Sequence, residues 1–251
     1  MSPIVAGIVL GLWAYIGFYD ALGPNFIQAY RPLMAGTVAG LIVGNVQMGM
    51  LMGGTLELMA LGVYTYGGAT IPDYQSGAIL GTYFGAQTSF TTGLALAIPA
   101  ALLLTQVDIL NRFLNFVFVH RADAFAEKGD FKGFEHMMVY FSHIIWGLSR
   151  GLPVFLAISF GQPLVQGVSN FFNAYPWINN GIKSVGGMLP ALGFAMLLKI
   201  MPVGKYPAFL LLGFVLYAYL KIPLVGIAIA AGAIALIYQS LKYNQQQAKE
   251  A

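Results

Sequence analysis

Long apolar runs, broken by short polar or glycine-rich punctuation, set the pattern of this chain. Residues 4 to 19 are apolar up to Asp20, and the mixed segment Ala21 to Tyr30, with Gly23-Pro24, follows. That predicts a helix and then an interruption. From Arg31-Pro32 an apolar run continues to about Tyr66 with only Glu57 charged, too long for one crossing of a hydrocarbon layer, which takes about 20 residues. Gly44-Asn45 and Gly53-Gly54 punctuate it. A full span followed by a re-entrant or discontinuous piece is expected, with the second glycine pair able to break the helix just ahead of Glu57. Residues 66 to 75 have turn chemistry in Gly67-Gly68 and Pro72-Asp73, and Ser76 to Gln106 is apolar again around a polar island at Gln87-Thr88-Ser89. Later spans are expected from His136 to about Phe160 and near 184–202, 206–221 and 222–240, with a polar connection around 161–183.

Charge changes the picture in one place. The segment Asp108 to Glu135 holds Asp108, Arg112, Arg121, Asp123, Glu127, Lys128, Asp130, Lys132 and Glu135, out of 12 Lys+Arg and 9 Asp+Glu in all. Within it Leu110, Leu114, Val117 and Phe118 recur near helical spacing, so a charged amphipathic helix over about 108–135 is expected. Its basic residues favour the cytoplasmic side; the 161–183 connection, holding only Lys183, then falls outside and the tail with Lys242 and Lys249 inside.

Composition decides the class. Charged residues are 8% of the chain, against about 25% in soluble domains. With 58% hydrophobic residues and a mean hydropathy of +0.74, too little polar surface is left to coat a water-exposed globule. The reading is an all-α polytopic membrane protein, with several transmembrane helices plus re-entrant or broken helical segments, forming a single membrane-embedded domain over 1–251. The net charge of +3 comes from scattered residues without a basic stripe or aromatic platforms, which excludes nucleic acid as a partner. Zero cysteines exclude disulfides and thiolate metal sites. Met1-Ser2-Pro3 lacks a basic n-region, so the first apolar segment is expected to be retained. No Walker loop, Ser/His/Asp arrangement or dinucleotide fingerprint is present, so neither a nucleotide motor nor a cofactor is expected.

The candidate chemistry is sparse. Gly36, Gly40 and Gly44, and again Gly77, Gly81 and Gly85, place small residues on one helix face, where they admit a close helix or a sliding interface. Glu57 lies deep in an apolar run, where an ionised group needs a partner or a wet cavity; it is either a ligand for hydroxyl groups or the structural partner of Arg31 or Arg150. Asp73, with Tyr64, Tyr66 and Tyr74 around it, offers an acceptor beside aromatic faces, or simply a turn. Gln28 and Asn45 stand in breaks of apolar segments, suited to hydroxyl recognition or to helix capping. His120, His136 and His143 have no Glu or Cys at metal-ligand spacing, so no metal site is expected.

The run Arg31-Pro32-Leu33, the block Gly53-Gly54-Thr55-Leu56-Glu57-Leu58-Met59-Ala60-Leu61-Gly62, then Pro72-Asp73, Gly186-Gly187-Met188 through Gly193-Phe194-Ala195-Met196, and Leu212-Gly213-Phe214-Val215 resemble the IIC membrane subunit of the mannose (mannose/fructose/sorbose) family of bacterial phosphotransferase systems, over almost the whole chain. The resemblance implies a IID membrane partner, with the heterodimers assembling as a trimer in the bacterial cytoplasmic membrane. It also implies a hexose, of mannose or glucose type, bound outside and carried inward, then phosphorylated from a phosphohistidine on cytoplasmic IIB supplied through IIA. This chain would be the sugar path, without catalytic residues of its own. The resemblance carries Glu57, Asp73 and Gln28 over as sugar-binding candidates, with Tyr64 or Tyr66 as a stacking face and Asn45 beside them as a neutral polar candidate. Tyr30 stands where the family commonly has histidine. Some family members serve as bacteriocin receptors. The rival readings are an ion-coupled secondary sugar transporter, in which Glu57 and Arg150 form a relay pair, and a non-transporting assembly subunit.

Overall fold

The computed structural model describes residues 1–23, 25–61 and 71–250. Among them the helices run in order α1 (Pro3–Leu22), α2 (Pro32–Val43), α3 (Val46–Ala60), α4 (Tyr74–Gln87), α5 (Phe90–Glu127), α6 (Phe131–Glu135), α7 (Ser142–Phe160), α8 (Gln162–Ala174), α9 (Pro176–Ile200), α10 (Pro207–Ala218) and α11 (Leu224–Glu250). No strand occurs among the described residues. They form two compact units, Met1–Leu197 and Leu198–Ala251.

In the first unit, α1 starts where Ser2 Oγ accepts a hydrogen bond from the Val5 N–H (3.4 Å) and Pro3 occupies a position that needs no N–H. It runs along α7, and the two backbones meet at glycines. A Cβ on Gly11 would sit 2.8 Å from the Gly151 carbonyl oxygen, and one on Gly151 equally close to that of Gly11. Lipid is as apolar as a leucine side chain, so this close packing, not burial from water, holds the pair together.

The apolar run from Arg31 folds as a hairpin of two short helices rather than as a full span with a re-entrant piece. At 12 and 15 residues, α2 and α3 are about 18 and 23 Å long, short of the roughly 30 Å hydrocarbon thickness. Gly44, at φ +80°, supplies the left-handed turn. Asn45 Oδ1 then caps α3 by accepting from the Met48 N–H (3.0 Å). Gly53-Gly54 does not break α3. Its first glycine lies where α2 crosses: a Cβ there would be 2.5 Å from the Pro32 carbonyl oxygen and 2.9 Å from Leu33 Cα. Gly36 and Gly40 serve the same seam from the other side, a Cβ on Gly36 lying 2.7 Å from the Gly49 carbonyl oxygen.

A second hairpin joins α4 to α5 through Ser89, whose Oγ accepts from the Thr92 N–H (3.2 Å). Every residue of α4 from Gln75 to Gly85 is buried, which makes this helix the axis of the unit. Around it lie Leu10 and Ala14 of α1, Met52 and Leu56 of α3, Leu94 of α5, and Val154 and Ile158 of α7, all fully buried. The second glycine ladder explains the fit, since a Cβ on Gly81 would fall 2.8 Å from Ala97 Cβ.

At 38 residues, α5 extends about 57 Å, well beyond the hydrocarbon. The apolar span and the charged segment as far as Glu127 are thus one continuous helix, and the rest of that segment forms a turn and α6. Among the described residues, three helical stretches are long and apolar enough to cross a membrane: Pro3–Leu22, Phe90–Glu127 and Phe131–Phe160, the last including a π-helical turn at His136–Phe141. Leu102, Leu103 and Phe113 on α5 and Ile4, Ile8 and Leu12 on α1 are exposed, as suits lipid. The stretch expected as a polar connection around 161–183 is helical instead, forming α8 and the start of α9. The second unit holds α10 and α11, separated by a turn in which Lys221 takes φ +51°.

Candidate functional site

Glu57 lies in the last turn of α3, beside the start of α2. Its Oε1 is 3.3 Å from Arg31 Nη1, and its Oε2 accepts from the Leu33 N–H at 3.3 Å. Arg31 Nε donates in turn to Gln28 Oε1 (3.4 Å). These three side chains, with Thr37 and Met50, line a cavity of about 480 Å³, within the roughly 300–1,000 Å³ of small-molecule sites. The Glu57 side chain is 20% exposed and that of Arg31 47%, so neither is sealed inside the chain.

The loop that presents Gln28 is strained and anchored. Asn25 and Gln28 take φ of 52° and 51°, a left-handed conformation that costs roughly 1–2 kcal/mol per non-glycine residue. Asp20, buried at the end of α1, offsets it: Oδ1 accepts from the Phe26 N–H (3.0 Å) and Oδ2 from the Ala29 N–H (3.2 Å). Bonds to an ionised acceptor are about twice as strong as neutral ones. In sequence Asp20 reads only as the end of an apolar run; in the fold it shapes the cavity's rim.

Asp73 is not among the residues lining that cavity. Its Oδ1 caps α4 by accepting from the Ser76 N–H (3.2 Å), and its Oδ2 lies 3.3 Å from Arg150 Nε. Arg150 Nη2 donates to Asp108 Oδ1 (2.8 Å), and Asp108 Oδ2 accepts from Arg112 Nε (3.0 Å). The Arg150 guanidinium also lies over the Phe18 ring, 4.6 Å from its centroid, and Phe18 stacks on Trp146. Two carboxylates and two guanidiniums thus alternate from α4 to α7 to α5, with Asp73, Arg150 and Asp108 buried. The chain sets each charge, which lipid would penalise by several kcal/mol, beside an opposite one, while Asp73 Oδ2 and Arg150 Nε and Nη1 make no hydrogen bond among the described residues. Asp108, which opens the charged segment in the sequence, is here a core residue.

Of the sequence candidates, then, Glu57 and Gln28 come together, joined by Arg31. Asn45 caps α3 at the opposite end of the hairpin, and Asp73 belongs to the ionic chain. Tyr64 and Tyr66 lie outside the described residues. Sequence reasoning offered Arg31 as a partner for Glu57, and the structure places it between Glu57 and Gln28; the signal was a lone cation before Pro32 and a lone anion 26 positions on.

A carboxylate, a guanidinium and an amide around one cavity offer acceptors and donors together, the complement of a solute rich in hydroxyls. Comparison with known proteins gives the family. The family model described as PTS system sorbose-specific IIC component matches residues 4–237. The mannose-specific EIIC component of Escherichia coli K12 is 34% identical over 224 residues, 87% of this chain and 83% of that one. The fructose permease IIC component of Bacillus subtilis is 32% identical over 247 residues, 98% and 90% of the two chains. Among solved structures, one described as a structure of a membrane protein matches with a TM-score of 0.84 at 30% identity, covering 96% of this chain and 98% of that one. A chain in the cryo-EM structure of the mannose transporter ManYZ with microcin E492 matches with a TM-score of 0.58, again at 30% identity, covering 96% and 97%. The protein is therefore a multi-pass protein of the bacterial cytoplasmic membrane and part of a phosphotransferase-type sugar transporter. The chain belongs to the mannose, fructose and sorbose family of phosphotransferase-system IIC components.

Proposed function

We propose that this chain is the sugar path of its transporter: it binds a hexose of mannose or glucose type from outside in the Glu57 cavity and carries it inward for phosphorylation by a cytoplasmic IIB subunit. The observation that carries the reading is the Glu57, Arg31 and Gln28 cluster around a cavity of about 480 Å³. Glu57 accepts from sugar hydroxyls while Arg31 and Gln28 donate to them, and the Arg31 pairing holds the carboxylate in place without burying it. Neither group acts as a nucleophile. Tyr64 or Tyr66 supplies the stacking face, on the strength of the sequence alone. Asp73 and Arg150 act at a distance from the sugar, as the joint that fixes α4 against α5 and α7.

A IID subunit is the proposed membrane partner, with the heterodimers assembling as a trimer, and IIA and IIB are the soluble ones; the likeness to a chain of the mannose transporter ManYZ supports the first. The microcin in that complex supports a bacteriocin as a further ligand. The test is phosphoenolpyruvate-dependent phosphorylation of labelled mannose, glucose, fructose and sorbose in vesicles, with this chain alone and with its IID, IIB and IIA partners. Sugar phosphate appearing only with all partners is the expected result and names the substrate. Free sugar accumulating with this chain alone, and released by an ionophore, would refute the proposal.

A further inference from the structure

The end of the α2–α3 hairpin opposite Glu57 carries a second cavity, of about 590 Å³. Along α2 the two linings are one helical turn apart, from Thr37 of the first to Leu41 of the second, about 6 Å. Polar side chains converge on it from three helix ends: Asn45 ahead of α3, Tyr83 and Gln87 in the last turn of α4, and Gln162 at the start of α8. No acidic or basic side chain is among its lining.

The amides are partly engaged with the protein. Gln162 Nε2 donates to Gln87 Oε1 at 2.6 Å, Gln87 Nε2 donates to the Tyr83 carbonyl at 3.4 Å, and Asn45 Oδ1 accepts from the Met48 N–H. Asn45 Nδ2, Gln162 Oε1 and the Tyr83 hydroxyl have no protein partner among the described residues. An amide nitrogen only donates, an amide oxygen only accepts and a phenol does both. That mixture suits hydroxyl groups, which donate and accept at one atom. A cation would find no counter-charge there, and the one charged group along the lining is the amino terminus at Met1. The arrangement differs from the Glu57 cavity in having no charged side chain, so it would hold a solute loosely and release it.

We propose that this cavity is a second binding site for an uncharged polyhydroxylated solute, a station on the sugar's route lined by Asn45, Tyr83, Gln87 and Gln162. The inference rests on the reading of the chain as a sugar path. Because the chain has no cysteine, Ala86→Cys in the half-buried wall of the cavity gives it a single labelling position, and Leu41→Cys gives a second. The full complex in vesicles is treated with a small uncharged maleimide, with and without mannose, fructose or sorbose, and the label on this chain is followed by mass.

One of these sugars should slow labelling, about tenfold where nine-tenths of the sites are filled. The protection should persist when Glu57→Gln is added. It should fall with Asn45→Asp, which keeps a capping oxygen for α3 but removes both amide donors. Protection abolished by Glu57→Gln, or none from any sugar in a complex that still takes sugar up, would overturn the second site. Protection that persists while Glu57→Gln leaves sugar affinity untouched would instead refute the Glu57 assignment and leave this site standing.

Discussion

Replacing Arg150 with Gln removes the cation shared by Asp73 and Asp108, and the structure says where the penalty falls. Asp108 keeps Arg112 at 3.0 Å, whereas Asp73 keeps only the Ser76 N–H. The Asp73 side chain is 4% exposed, so its charge is left without a counter-charge or solvent. Breaking a buried pair in this way costs about 3–5 kcal/mol, which at about 1.4 kcal/mol per decade is a hundredfold to a few thousandfold in the folding equilibrium. Asp73→Asn alone should cost only about 1–2 kcal/mol, because Asn is as good a helix cap as Asp and Arg150 retains Asp108. The double variant Arg150→Gln/Asp73→Asn should therefore be more stable than Arg150→Gln by about 1–2 kcal/mol, which together with the cost of Asp73→Asn alone makes a coupling of about 2–4 kcal/mol, at the upper end for groups in direct contact. Detergent unfolding of the purified chain measures all four proteins. Trp146 fluorescence is a local probe, since its ring stacks on Phe18 beneath the same guanidinium. A cost below about 1 kcal/mol for Arg150→Gln, or Asp73→Asn adding its own penalty in full, would refute the account of a single coupled ionic chain.

Glu57→Gln keeps the shape of the cavity and loses a charged acceptor, so sugar affinity measured calorimetrically on the assembled complex should fall about tenfold per hydroxyl bond weakened. The complex itself should survive, since an exposed pair such as Arg31 with Glu57 contributes about 1 kcal/mol at most; unchanged affinity sinks the assignment. The two adjacent glycines of α3 should behave oppositely in thermal melts. Gly53→Ala drives a Cβ into the α2 backbone and should destabilise by about 1–3 kcal/mol. Gly54→Ala meets only Leu33 Cδ1 at 3.9 Å and should be neutral or stabilising by up to about 1 kcal/mol. Asp20→Ala frees the loop at 25–29, and should weaken sugar binding through Gln28 while leaving the α2–α3 hairpin intact; proteolysis confined to that loop is the readout.

Periodicity and composition were enough for α1, α7 and the two apolar helices of the second unit, because each is a single run with plain punctuation. The hairpins were harder. Gly44-Asn45 and Gly53-Gly54 look alike as glycine interruptions, yet only the first turns the chain. The difference is tertiary: Gly53 is needed where Pro32 and Leu33 pass over it, which no local pattern records. The ionic chain was invisible for a similar reason. Asp108 sits at the head of a charged segment and reads as solvated, and its partner Arg150 is 42 positions away. Glu57 was legible because an isolated carboxylate in an apolar run announces itself, and Arg31 was one of the two partners its surroundings offered.

Glu57 with Arg31, and Asp73 and Asp108 with Arg150 and Arg112, balance charge for charge. A charge carried across the bilayer couples to the membrane potential by about 2.3 kcal/mol per 100 mV. Neither cluster, moving with an uncharged sugar, carries any. On the proposed sugar path, a displacement that carries these two clusters is therefore blind to voltage, and its direction would be set by what captures the sugar on arrival.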